Sequence, residues 1–155
     1  YKWFSKRYTG IASWHNKILD QAVVYKRLVL PSERIYKFPW CNRSATGGIS
    51  GATKIKNYPV QGFATADIVP IACTKLYHLM KEYGLRSLLI NEVHDSIIVD
   101  TCPGEEDKVK DCIADAMLGV IDGLDHKFNF TFNIPLVIEI KRGKNWLEME
   151  KIFKG

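Results

Sequence analysis

His94 and Asp95 stand side by side between two apolar runs, residues 86–92 and 96–100. A carboxylate on a tight bend between strands can meet a hard cation from one side and leave the other side to a substrate. Mg²⁺ accepts one or two carboxylates and completes its shell with phosphate oxygens and water. Two such ions hold the attacking and leaving oxygens of a phosphoryl transfer, so that chemistry needs at least two acids converging from separate segments. The same His-Asp pair also serves as a local hydrogen-bonding pair on a solvated turn, and spacing alone does not choose between the two. Glu92 is a further acid close by, its direction open. A second group of polar residues comes earlier: Asn57 and Gln61 flank Pro59, behind Lys54 and Lys56. Here the alternatives are an Asn that caps a helix with a solvated Gln, and lysines that either meet phosphates or simply face water.

These residues need elements to position them. Ile11, Trp14, Ile18 and Ala22 recur at steps of three and four, which predicts an amphipathic helix. Residues 23–30 and 34–38 read as strands around Pro31-Ser32-Glu33. Residues 43–52 hold Gly47, Gly48 and Gly51 and read as an exposed, mobile loop. From about Pro59 to Tyr83 the apolar residues recur helically, with a kink or break expected at Pro70 and a left-handed cap at Gly84. The runs around His94-Asp95 form a β-hairpin, closed by Pro103-Gly104. Glu105, Glu106 and Asp107 open another helix, its apolar face formed by Val109, Cys112, Ile113, Ala116, Met117, Val120 and Ile121, with Gly123 after its end. Residues 128–133 and 135–140 read as strands. The sum is an α+β fold: helices packed on one face of an antiparallel sheet.

The 155 residues suffice for one domain with a core of its own. The net charge of +5 favours polyanionic partners only slightly. Cys41, Cys73, Cys102 and Cys112 fit no common zinc spacing. Cys73 and Cys112, among apolar residues, are expected to be buried free thiols in a reducing compartment. No apolar run is long enough to span a bilayer, so no membrane partner is expected. The start, Tyr1-Lys2-Trp3-Phe4, has neither an initiator Met nor a signal peptide. A chain cut or processed from something longer is expected.

Three segments together resemble one family. Leu89-Ile90-Asn91-Glu92-Val93-His94-Asp95-Ser96-Ile97-Ile98-Val99-Asp100 is similar to motif C of family A DNA polymerases. Asn57-Tyr58-Pro59-Val60-Gln61-Gly62, followed by Ala66-Asp67-Ile68, is similar to the start of that family's long palm helix. Residues 134–140 with Gly143-Lys144-Asn145-Trp146 resemble its closing strand and ending. The resemblance implies that Asp95 binds the catalytic Mg²⁺ and that His94 lies near the primer terminus. It implies that Asn57 and Gln61 reach the minor groove of a primer–template duplex, where acceptors common to all correct pairs allow geometry to be checked without reading sequence. Lys54 or Lys56 would stand in for an Arg that the family often has at the position of Thr53, as a point charge rather than a fork. Ser96 replaces a Glu common in the family and resembles phage-type members. Gly62 and Ala64 fit where bulk would block DNA or a packed neighbour, and Trp146 is expected to pack as an anchor.

Residues 1–155 are thus expected to be the C-terminal part of a polymerase palm. The fingers helix, the motif A Asp and an exonuclease domain would lie outside them. The reaction implied is template-directed DNA synthesis from dNTPs, in the cytoplasm of a bacterial or phage-infected cell. One metal carboxylate does not make a two-metal site, so the remaining polymerase domains or a partner subunit would supply the second. The chain alone is expected not to extend a primer. The other reading is a non-catalytic DNA-binding module or a subunit of a split polymerase.

Overall fold

The computed structural model describes residues 2–155. Tyr1, the boundary expected with a missing fingers helix, lies outside the described residues. The chain divides into two compact units, Tyr1–Phe63 and Ala64–Gly155.

In the first unit, α1 (Lys2–Arg7) leads into α2 (Thr9–Tyr25). The predicted apolar stripe is present in its second half: Ile18 and Ala22 are buried, joined by Leu19, and Trp14 packs at the margin of the same cluster, whereas Ile11 is exposed. Residues 23–25, read as strand from their branched side chains, instead finish α2. Strand propensity is weak where a helix already has a face to bury. The helix stops at Lys26, which turns left-handed (φ 55°) while its N–H still reaches the Ala22 carbonyl. Two short strands follow, β1 (Arg27–Val29) and β2 (Ile35–Lys37), paired antiparallel with Leu28 opposite Tyr36. Leu28, Phe38, Cys41 and Ile55 complete the core of this unit.

The glycine-rich loop before α3 is tied by hydrogen bonds rather than open. Ser44 N–H donates to the Gly48 carbonyl at 2.7 Å and Ser50 N–H to the Asn42 carbonyl at 3.0 Å. The Asn42 N–H donates to Ser50 Oγ at 2.9 Å. Helix α3 (Ala52–Gln61) begins well before Pro59, which lies inside it. A π-helical segment, Gly62–Ile68, comes next, and then α4 (Val69–Glu82). Pro70 therefore does not end the helix. It has no N–H to offer the preceding turn, and the chain takes up wider π turns directly upstream.

In the second unit, Val69, Ala72, Leu76 and Met80 form the buried stripe of α4. Its end is a Schellman cap. Gly84 is left-handed (φ 63°), Leu85 N–H donates to Met80 O at 2.9 Å and Gly84 N–H to Lys81 O at 3.1 Å. The hairpin of β3 (Leu88–Val93) and β4 (Ser96–Asp100) lays Leu89, Ile97 and Val99 on the cluster built from Leu76, Met80, Cys112 and Ala116. Helix α5 (Glu106–Leu118) buries Val109, Cys112 and Ala116, as its spacing predicts.

Two boundaries differ after α5. A further helix, α6 (Val120–Phe128), follows at once, and Gly123 lies within it rather than after a helix end. Residues 129–133, read as strand, form no strand. Strand β5 (Glu139–Gly143) pairs with β6 (Met149–Lys154), which the sequence reading did not foresee. The α+β class holds, and the described strands pair in three separate two-stranded antiparallel sheets.

Glu105 braces the start of the hairpin. Its carboxylate accepts from the N–H groups of Arg86 and Ser87 and, at 2.6 Å, from the Ser87 hydroxyl. The Arg86 backbone N–H, followed by the Ser87 hydroxyl, holds its carboxyl below the ordinary range. A carboxyl depressed on folding stabilises the native state above its unfolded pKa of about 4.3; that stability is lost as pH falls through the lower native value. Wild type should therefore lose urea resistance more steeply than Glu105→Gln between about pH 5 and about pH 3. Parallel losses in the two proteins would refute this role.

Candidate active site

The turn that carries the His-Asp pair is as short as a hairpin allows. Val93 pairs with Ser96, which leaves His94 and Asp95 as its only unpaired residues. His94 is left-handed, with φ 56°. Two-residue hairpin turns require positive φ at the first central position, and His is among the non-glycine residues that accept it. The cost, of order 1–2 kcal/mol, is retained where the site over-determines the conformation. Both side chains are exposed, and neither takes part in a hydrogen bond or ion pair among the described residues. The alternative of a local His-Asp hydrogen-bonding pair is therefore not realised. The Asp95 carboxylate accepts no hydrogen bond among the described residues. As a hard oxygen donor it fits Mg²⁺. No cluster of three or more His, Cys, Asp or Glu able to hold a metal occurs among the described residues, so Asp95 would be one ligand of an incomplete site.

Strand β3 carries a bulge. Leu89 pairs with Val99 and Asn91 with Ile98, so Ile90 is the extra residue. A bulge shifts the alternation of side chains by one. Leu89 faces the helices with Val99, and beyond the bulge Glu92 does so opposite Ile97. Without it Glu92 would face the other way. Glu92 accepts a hydrogen bond from the Cys73 thiol of α4, Sγ to Oε2 3.6 Å. Burial, and then the Glu92 charge, push the Cys73 thiol up to about 11, so it is protonated at neutral pH. Cys73 is half-buried, in contrast with the full burial expected; Cys112 is buried, and all four cysteines are free. Nothing in the run Leu88-Leu89-Ile90 signals the bulge.

Asn57 and Gln61 lie one helical turn apart on α3, both exposed, with Asn57 Nδ2 donating to Gln61 Oε1 at 2.7 Å. Asn57 is mid-helix and is not a cap. At about 100° per residue, Lys54 shares their face, while Lys56 lies about 100° from Asn57 and about 140° from Gln61. Lys56 is instead beside His15 of α2, where burial first and then the Lys56 charge lower the imidazole's pKa. Gly62 is needed for close approach: a Cβ there would fall 1.8 Å from the hydroxyl oxygen of Tyr36. The packed neighbour is thus a tyrosine of β2, a contact with no sequence signal.

The profile of DNA polymerase family A matches residues 1–148. The chain belongs to DNA polymerase family A. It is 36% identical over 92 residues to DNA polymerase I of Caldicellulosiruptor bescii, covering 59% of this chain and 10% of that protein. It is 30% identical over 147 residues to DNA polymerase I of Lactococcus lactis subsp. lactis, covering 94% of this chain and 16% of that protein. The chain thus spans a small part of the length of the relatives it matches. Its fold is similar to the polymerase domain of Pol1 from M. smegmatis, solved in complex with DNA primer-template and dNTP. The TM-score is 0.67 at 23% identity, over 76% of this chain and 21% of that one.

Two motif residues gain a structural reading, Ser96 and Trp146. Ser96 closes the turn, its hydroxyl donating to the Val93 carbonyl at 2.8 Å. The residue that replaces a common acid of the family thus serves the backbone here. At the other end, Trp146 does not pack as an anchor: it is 75% exposed, and the neighbouring Leu147 is 94% exposed. The Asn145 side chain instead organises the β5–β6 turn, accepting from Leu147 N–H at 2.9 Å and Glu148 N–H at 3.0 Å. No helix among the described residues is long and apolar enough to cross a membrane.

Proposed function

We propose that residues 1–155 form the C-terminal part of the palm of a DNA-directed DNA polymerase. The enzyme adds dNTPs to the 3′ end of a primer, releasing pyrophosphate, in the cytoplasm of a bacterial or phage-infected cell. The observation that carries this reading is the exposed, unpartnered Asp95 carboxylate on a two-residue turn, in a chain of DNA polymerase family A. The substrates of the M. smegmatis polymerase domain, primer-template DNA and dNTP, support the same class of partners here.

In this reading Asp95 is a metal ligand. Mg²⁺, when bound, supplies electrostatic stabilisation to the oxygens of the transferring phosphoryl group. The second carboxylate comes from residues outside this chain, in the remaining polymerase domains or a partner subunit. His94, held outward by its left-handed backbone, lies next to the primer terminus. Asn57 and Gln61 present amides to the minor groove, where acceptors recur at every correct pair. Their mutual hydrogen bond sets the spacing of the two amides before DNA arrives. Lys54, on the same face, meets backbone phosphate, and Lys56 contributes charge from farther round the helix.

The test uses the natural full-length protein that contains these residues. Asn57→Ala/Gln61→Ala should weaken primer–template binding by about 1–3 kcal/mol, roughly 5- to 150-fold in Kd, for every duplex sequence alike. Fluorescence anisotropy at fixed salt reads it directly. Unchanged affinity, or a loss confined to some sequences, would reject the minor-groove role.

A further inference from the structure

Between α4 and the hairpin, the structure makes one polar tie that no packing need explains. Glu92, on β3, comes three residues before Asp95 of the turn, and its inward direction depends on the bulge at Ile90. Glu92 stays exposed, and on this face its carboxylate comes within reach of α4. Cys73 meets it, with its thiol donating at 3.6 Å. Cys73 lies one residue beyond the buried Ala72, beside the stripe that seats α4 on the hairpin. On the other side of the turn, the Ser96 hydroxyl holds the Val93 carbonyl. Among the described residues neither residue at the tip has a hydrogen-bond or ion-pair partner, so their position is set from below.

We propose that Cys73 and Glu92 are positioning residues that fix the β3 side of the turn and thereby hold the Asp95 carboxylate where its metal is bound. The inference rests on the polymerase reading and extends it to residues that touch neither substrate nor metal. Loosening a metal ligand leaves the affinity for DNA alone and weakens the response to the ion, because the duplex contacts lie on α3. A displacement of an ångström or less at a reacting centre is enough to slow the chemical step.

The test compares Cys73→Ala, Cys73→Ser, Glu92→Ala and Glu92→Gln in the natural full-length protein. Cys73→Ala and Glu92→Ala should lower kcat about three- to tenfold and raise the Mg²⁺ concentration for half-activation by a similar factor. KM for primer–template should stay within about twofold of wild type. Cys73→Ser and Glu92→Gln, which keep a donor and an acceptor, should restore most of the loss. Hydrogen exchange of the backbone amides at residues 93–96 should quicken in Cys73→Ala and not in α5. Wild-type kcat and Mg²⁺ response in Cys73→Ala would overturn the proposal, as would a Ser variant no better than Ala. Faster exchange over α5 as well would also overturn it, because it means general loosening. If the wild-type protein extends no primer, the polymerase reading fails, while the exchange measurement still decides whether the pair orders the turn.

Discussion

Asp95→Ala should lower primer extension by roughly 10³-fold or more and leave primer–template affinity within about twofold. The asymmetry follows from where the side chain is. Asp95 is exposed at the end of a two-residue turn and makes no contact among the described residues that its loss would disrupt. Stability should therefore move by no more than about 0.5 kcal/mol, the range of a surface substitution away from caps and networks. On the proposed polymerase reading catalysis should depend on it in full, since a metal held by two carboxylates has little left when one is gone. Asp95→Asn keeps the shape and removes the charge. It should fall close to Ala if charge is the requirement, and close to wild type if shape is. Retention of a tenth or more of the wild-type rate by the Ala variant, measured with saturating dNTP and Mg²⁺, would sink the assignment.

Gly51→Ala should destabilise the protein by about 2–4 kcal/mol, the largest stability effect of any conservative change considered. Two costs add. Gly51 caps α3 in the left-handed region, φ 65°, where an L side chain costs about 1–2 kcal/mol. A Cβ there would also lie 2.2 Å from the ring of Trp40. That ring sits edge-on to Phe38, with centroids 5.8 Å apart, and Phe38 is buried in the core of its unit. Trp40 cannot move aside without giving up that contact. Gly48→Ala is the control: it lies in the same loop, its φ is not positive, and its nearest neighbour is Ser44 Oγ at 3.3 Å. In urea melts Gly51→Ala should shift far more than Gly48→Ala, and equal shifts would show that neither cost is real. The helix that Gly51 starts carries Lys54, Asn57 and Gln61, so the same change should also weaken DNA binding where folding is incomplete.

What the sequence made legible was whatever periodicity controls. The stripes of α2, α4 and α5 appear in the order of their apolar residues, and the Gly84 cap follows from the need for a left-handed residue after Tyr83. The hairpin around His94-Asp95 was legible because apolar runs flank Val93-His94-Asp95, although Val93 proves to belong to the strand and the turn has two residues. Residues 23–25 were misread because their branched side chains favour strand locally while α2 still had a face to bury. The start of α3 was misplaced: the helical recurrence was read from about Pro59, whereas the helix begins at Ala52 and accommodates Pro59 inside it. For the candidate site, residue identities came from the motifs, and directions did not. That Lys54 shares a face with Asn57 and Gln61 and Lys56 does not depends on where α3 begins. That Glu92 turns inward depends on one unpaired residue.

That residue, Ile90, gives the hairpin one place where a residue can be lost without a change of register. Exchanging Ile90 for another apolar residue leaves the pairing intact, since its side chain is largely in water. Deleting it keeps Leu89 opposite Val99, Asn91 opposite Ile98 and Glu92 opposite Ile97, so strict alternation returns with Glu92 still facing Cys73. Among natural homologues the hairpin should therefore tolerate the loss of one residue here with no matching change at the position of Cys73.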